Sequence, residues 1–109
     1  MRILGIDPGT ATTGYGIIEI TNTSSIEVIN YGIIQTTPKS PMPERLKIIF
    51  HDIQTLIENF KPDILSIEEL FFFKNSKTVI TVSQARGIIL LAGSLANLEI
   101  AEYTPLQIK

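Results

Sequence analysis

The sequence predicts an α/β domain on a five-stranded mixed sheet, three antiparallel strands followed by two parallel ones, flanked by helices. Three observations carry that reading. An apolar run at 2–6 ends in Asp7-Pro8-Gly9-Thr10, a strand closed by a Pro-Gly turn. Leu46, Ile49, Phe50, Ile53, Leu56, Ile57 and Phe60 recur at three- and four-residue steps, the stripe of a helix lying on a sheet. A second short apolar run at 64–67 follows directly on Pro62-Asp63. A strand, a helix and a returning strand imply a right-handed crossover, so the strand at 64–68 should lie parallel to the first.

Taken in order, residues 2–7 form the first strand, whose nearly unbroken apolar character fits burial on both faces. Residues 13–20 read as the second strand, with Gly14 and Gly16 marking a close backbone approach or a bend. Asn22 to Ser25 is a turn cluster, and a third strand runs from Ile26 to Thr36. The prolines at 38, 41 and 43 end the sheet, and the first helix covers 43–60. A second helix spans 76–98. Its apolar run from Gly87 to Leu98 is too short to cross a bilayer and starts beside Arg86, so it reads as a buried helix with no membrane partner. A short strand follows at 99–103. Thr104-Pro105 then opens a further helix, with Thr as its cap and Pro at its first position.

A chain of 109 residues is one domain, 1–109, and 44% hydrophobic against 18% charged residues is enough to bury a core. With no cysteine, disulfide scaffolds and thiolate zinc sites are excluded, and a cytoplasmic location is compatible. The first residues already belong to a core strand, which argues against a signal peptide. The net charge of −2 lowers the expectation of nucleic-acid binding, since phosphate contacts need Lys or Arg. A metal-dependent nuclease must nevertheless carry carboxylates, whose local sign bound cations reverse. Charge alone decides neither way.

Asp7 is the residue that most asks for a function. A carboxylate at the tip of an apolar strand is costly to bury, and makes most sense beside a metal ion or a metal-bound phosphate. The plainer alternative is that it caps its own turn. If the strands at 2–7 and 64–68 are parallel neighbours, Asp7 shares a sheet edge with Glu68-Glu69. Such strands lie about 4.8 Å apart, and paired catalytic metals about 3.5–4 Å apart. Hard oxygen donors favour Mg²⁺ or Mn²⁺ over zinc. Alternation puts Glu68 and Glu69 on opposite faces, so at most one faces Asp7, and the pattern alone leaves open which.

Phe71-Phe72-Phe73-Lys74 suits base stacking with phosphate anchoring, at about 1–3 kcal/mol per stacked base. A plug at the end of the sheet, or a subunit interface, is an equal reading. His51 has no His or Cys partner nearby in sequence and reads as a surface residue. The loop at 10–14 is followed by a strand, so it lacks the helix N-terminus that anion binding uses. Ala85, Gly87, Ala92, Gly93, Ser94 and Ala96 let something approach the second helix closely, either the domain's own sheet or a two-fold partner.

Together these residues resemble the RuvC-type Holliday-junction resolvases (crossover junction endodeoxyribonucleases), which have a ribonuclease-H-like fold. The likeness runs from Ile3–Thr10 through Thr13–Gly16, Glu44–Lys47, Ser66–Phe71, Lys74-Asn75 and Gln84–Gly87 to Glu102-Tyr103 and Gln107–Lys109. Each motif is weak, but their order and spacing are specific. The resemblance implies a cytoplasmic bacterial homodimer that cuts four-way DNA junctions symmetrically in recombination and repair, alongside the branch-migration proteins RuvA and RuvB. It implies Mg²⁺, two ions per subunit with Mn²⁺ possible, held first by Asp7 and Glu68. Phe71 matches an aromatic used against bases at the junction centre, and Lys109 a basic residue that supports DNA binding. Lys74 and Arg86 are softer DNA contacts, and the small-residue helix matches the dimerisation helix.

The family places two more acidic residues on a final long helix, which lies beyond Lys109. The expectation is therefore that the 109-residue chain alone, a C-terminally truncated domain, does not cut DNA. Three other readings compete. YqgF-type RNA-processing nucleases share the strand–Asp–x–Gly opening, but not the Phe71–Asn75 and Gln84–Gly87 segments together. An actin-like ATPase would need a second phosphate loop. A non-catalytic junction-binding or dimerising fragment is the remaining alternative.

Overall fold

The computed structural model of the chain describes residues 1–22, 25–69 and 76–103, apart from the side chains of Ser76 and Lys77. The elements are β1 (Arg2–Asp7), β2 (Thr12–Ile20), β3 (Ile26–Gln35), α1 (Met42–Phe60), β4 (Ile64–Glu68), α2 (Ser76–Leu95) and β5 (Glu99–Tyr103). The five strands form one sheet in the order β3-β2-β1-β4-β5. β1 pairs antiparallel with β2, and β2 with β3. β4 and β5 run parallel to β1. β4 returns through α1 to lie parallel to β1, as predicted.

Both helices pack on the same sheet face. Leu4, Ile6, Ile17, Ile34, Leu65 and Ile67 from the strands meet Ile49, Ile53 and Ile57 of α1 and Ala85, Ile89 and Ala92 of α2 in one core. The sequence stripe of α1 thus fills its expected place, and His51 is exposed as anticipated. The other face of the sheet is less covered among the described residues. β1 alternates rather than being buried on both sides: Leu4 and Ile6 are buried, whereas Ile3 and Gly5 are only partly so.

Each helix stops for a backbone reason. Lys61 takes a left-handed conformation (φ 49°) and its N–H returns to the Ile57 carbonyl at 2.8 Å, before Pro62 forbids another turn. α2 ends at Leu95, three residues earlier than the sequence suggests. Asn97 is left-handed (φ 61°), and the N–H groups of Leu98 and Asn97 reach back to the carbonyls of Gly93 and Ser94. That 6→1 and 5→2 pair closes the helix.

The reading of α2 as a buried helix also needs correction. Ala85, Ile89, Ala92 and Gly93 face the core, but Ile80, Leu91 and Leu95 are exposed on the opposite side, at 58%, 48% and 62%. The helix as a whole is longer than its apolar run, and Thr78–Leu95 is long and apolar enough to cross a membrane by length and composition alone, a test that a helix packed in a core also passes. The structure shows instead an amphiphile with two apolar faces, one of them in the core.

The free end of β1 is held by charge. The Met1 amine donates to Glu19 Oε2 at 2.8 Å and Arg2 Nε to Glu19 Oε1 at 3.0 Å, while Arg2 Nη1 reaches the Phe60 carbonyl at 2.7 Å. Hydrogen bonds from the amine, then from Arg2, hold the Glu19 carboxyl below its usual value of 4.5. A depressed carboxyl pKa contributes stability above the unfolded value, and that contribution is lost as pH falls through the folded one. The Tm difference between wild type and Glu19→Gln should therefore be present at pH 6 and vanish on acidification below 4.5; a difference that grows with acid would contradict this linkage.

Candidate functional site

The register of the parallel strands settles what the sequence pattern leaves open. β1 and β4 pair from Ile3↔Ile64 to Ile6↔Ile67, so Asp7 and Glu68 stand one step further on, side by side at the carboxyl edge. Ile6 and Ile67 point into the core, so alternation turns Asp7 and Glu68 together to the face opposite α1 and α2. Glu68, not Glu69, is the partner of Asp7. Asp7 is exposed and Glu68 half-buried, so both can reach a ligand from solvent.

The ground beside them is low. Gly16, Gly5, Ser66 and Ala101 lie in register across β2, β1, β4 and β5, on the same face and one step inward from the carboxylates. Gly14 is the β2 partner of Asp7, and a Cβ built there would sit 3.7 Å from the Asp7 Cβ. Four strands therefore contribute almost no side-chain bulk beneath the two acids. Below this row, Ile18, Ile3 and Ile64 form an apolar sill.

Tyr103 completes the edge; in the sequence it belongs to the Glu102-Tyr103 motif, to which no role in the site attaches. It is the β5 partner of Glu68 and so shares its face. Its phenol is pushed above the usual value of 10.0, by burial first, then by the charge of Glu68, then by that of Asp7. Both carboxylates therefore lie close enough to raise the pKa of this hydroxyl. The signals in the sequence are that motif and its position, at the end of a strand parallel to β4.

The turn after Asp7 is tightly bound. Thr13, fully buried, donates its hydroxyl to the Gly9 carbonyl at 2.7 Å. Thr36 donates to the Thr10 carbonyl at 2.6 Å and in turn accepts from Arg45 Nε at 2.9 Å. Helix α1 thereby braces the loop that follows Asp7.

The donor set suits a hard divalent cation, two carboxylates with open space between and beneath them. Among the described residues no group of three or more His, Cys, Asp or Glu side chains gathers. Arg86 lies on α2 directly behind Glu68, with its guanidinium bonded within the protein. Phe71, Lys74 and Lys109, the other expected DNA contacts, lie outside the described residues.

This strand order, with three antiparallel strands and two parallel ones bearing acids at adjacent tips, defines a ribonuclease-H-like protein. A family model described as crossover junction endodeoxyribonuclease RuvC matches residues 3–109. The chain belongs to the RuvC family. It is 50% identical over all 109 residues to the RuvC protein of Syntrophomonas wolfei, of which it covers 63%, and 48% identical to that of Fusobacterium nucleatum, of which it covers 57%. The chain thus spans about three fifths of the length of these curated relatives. It superposes on the Thermus thermophilus RuvC solved with a Holliday junction substrate with a TM-score of 0.93 at 27% identity, covering all of this chain and 69% of the other.

Proposed function

We propose that the protein carrying this chain is a divalent-metal-dependent endonuclease that resolves four-way DNA junctions, with Asp7 and Glu68 as metal ligands. The observation that carries this is the placement of the two acids at adjacent parallel strand tips in a chain of the RuvC family. The Thermus relative was solved with a junction bound, which supports the choice of substrate. Mg²⁺ is the cation assigned, two per subunit, with Mn²⁺ as a substitute; hard carboxylate donors support that preference. When bound, such an ion supplies Lewis-acid polarisation of a phosphoryl oxygen and a more acidic water.

The chain's own contribution is placement. Asp7 and Glu68 hold negative charge at a fixed spacing, and the row of Gly5, Gly16, Ser66 and Ala101 leaves room beneath them. Tyr103 keeps its proton at neutral pH and offers an O–H donor at the edge of that space. Phe71, Lys74 and Lys109 are assigned to DNA by family match. The partner is a second copy of the chain, the pair working beside RuvA and RuvB. Its support is the exposed Ile80, Leu91 and Leu95 of α2, of which Leu91 lines an apolar groove with Leu46, Phe50 and Ile88.

The test offers the full-length protein a four-way junction, a linear duplex and a structured RNA with Mg²⁺. Paired nicks in two like-polarity strands of the junction, absent with EDTA, are expected. Preferential cutting of the RNA would overturn the reading in favour of an RNA-processing nuclease.

A further inference from the structure

By family match Arg86 is a candidate DNA contact, yet its guanidinium is turned inward. The side chain is only 14% exposed. Its Nε–H donates to the backbone carbonyl of Glu68 at 3.0 Å, and an Nη2 N–H donates to the carboxylate of Glu102. One planar fork from α2 thus grips the ends of two parallel strands.

Glu68 needs such a grip. It lies one step past the paired β1–β4 ladder, which closes at Ile6↔Ile67. On the other side, the N–H of Glu69 donates to the Tyr103 carbonyl at 2.6 Å. The peptide that follows Glu68 is therefore fixed at its N–H by β5 and at its carbonyl by α2. The direction of the Glu68 side chain follows from that peptide.

We infer that Arg86 is a positioning residue, which holds the Glu68 carbonyl so that the carboxylate faces Asp7, while Glu102 anchors the guanidinium. The inference rests on Glu68 being a metal ligand, and it assigns Arg86 and Glu102 to the support of that ligand. A lysine cannot replace the fork, because an ammonium is a point charge without the fixed two-armed geometry. Loss of such an outer partner reduces metal affinity by about 10–100-fold.

The experiment uses full-length protein with Arg86→Gln, Arg86→Lys, Glu102→Gln and Glu68→Gln. Mn²⁺ affinity is read by electron paramagnetic resonance, and junction binding in EDTA is read across a salt series. Arg86→Gln should lose about 10–100-fold in Mn²⁺ affinity, with junction affinity and its salt slope in EDTA unchanged. Arg86→Lys should recover only part of the loss, and Glu102→Gln should show a smaller loss of the same kind. Unchanged Mn²⁺ affinity in Arg86→Gln overturns the inference. So does weaker junction binding in EDTA with a salt slope reduced by about 1, the mark of a phosphate contact. Should Arg86→Gln fail to fold, undiminished Mn²⁺ affinity in Glu102→Gln overturns it equally. Glu68→Gln separates the two readings: if it binds Mn²⁺ like wild type, the metal-ligand assignment itself falls and takes this inference with it.

Discussion

Asp7→Asn and Glu68→Gln are each expected to reduce metal-dependent junction cleavage by the full-length protein on the order of 10²–10³-fold or more, with the fold intact. Each swap keeps shape and removes one negative charge, at an exposed position for Asp7 and a half-buried one for Glu68, so little stability is at stake. The charge is what a hard cation requires. Losing a ligand forfeits several kcal/mol of transition-state stabilisation, and each 1.36 kcal/mol is about tenfold in rate. Junction binding in EDTA should hold or tighten, because a negative charge facing the DNA phosphates is gone. Single-turnover rates across a Mg²⁺ titration, with binding measured separately, check both halves. Rates within tenfold of wild type at saturating Mg²⁺ would remove these residues from the metal site.

The residues legible in advance are those whose pattern is forced by burial. Ile49, Ile53 and Ile57 must recur at helical steps because one face of α1 meets the sheet, and the strand–helix–strand order dictates a parallel β4. What escapes the pattern depends on register or direction. The row Gly16–Gly5–Ser66–Ala101 unites positions scattered along the chain, and only pairing across four strands reveals it. Tyr103 enters the site the same way, through its partnership with Glu68. α2 is apolar nearly all round, so its sequence cannot say which side is core and which is free. Its end is set by the left-handed backbone of Asn97, three residues before the apolar run stops. Arg86 announces a charge, but not that the charge faces inward toward Glu68.

Gly9→Ala is expected to destabilise the fold by about 2–4 kcal/mol and to weaken the metal site with it. A Cβ at Gly9 would lie 2.2 Å from the Thr12 carbonyl oxygen and 3.3 Å from its carbon, a collision with backbone that no rotamer relieves. The turn cannot simply swing away. Its carbonyls are held by the hydroxyls of Thr13 and Thr36, and Arg45 braces Thr36 from α1. Relief therefore costs buried hydrogen bonds of about 0.5–1.5 kcal/mol each, on top of the strain. Asp7 sits two residues upstream, so any shift of the turn moves the carboxylate relative to Glu68. Two other glycines set the scale. A Cβ at Gly93 would approach Ile100 Cδ1 at 2.8 Å and Leu65 Cδ1 at 3.1 Å, flexible side-chain ends that can yield. A Cβ at Gly16 meets nothing within 4 Å, so Gly16→Ala should be neutral or gain up to about 1 kcal/mol through the unfolded chain. Denaturant unfolding of the three variants should rank the losses Gly9 above Gly93 above Gly16. A Gly9→Ala midpoint equal to that of Gly16→Ala would mean the turn relaxes freely, and that its hydrogen bonds do not brace Asp7.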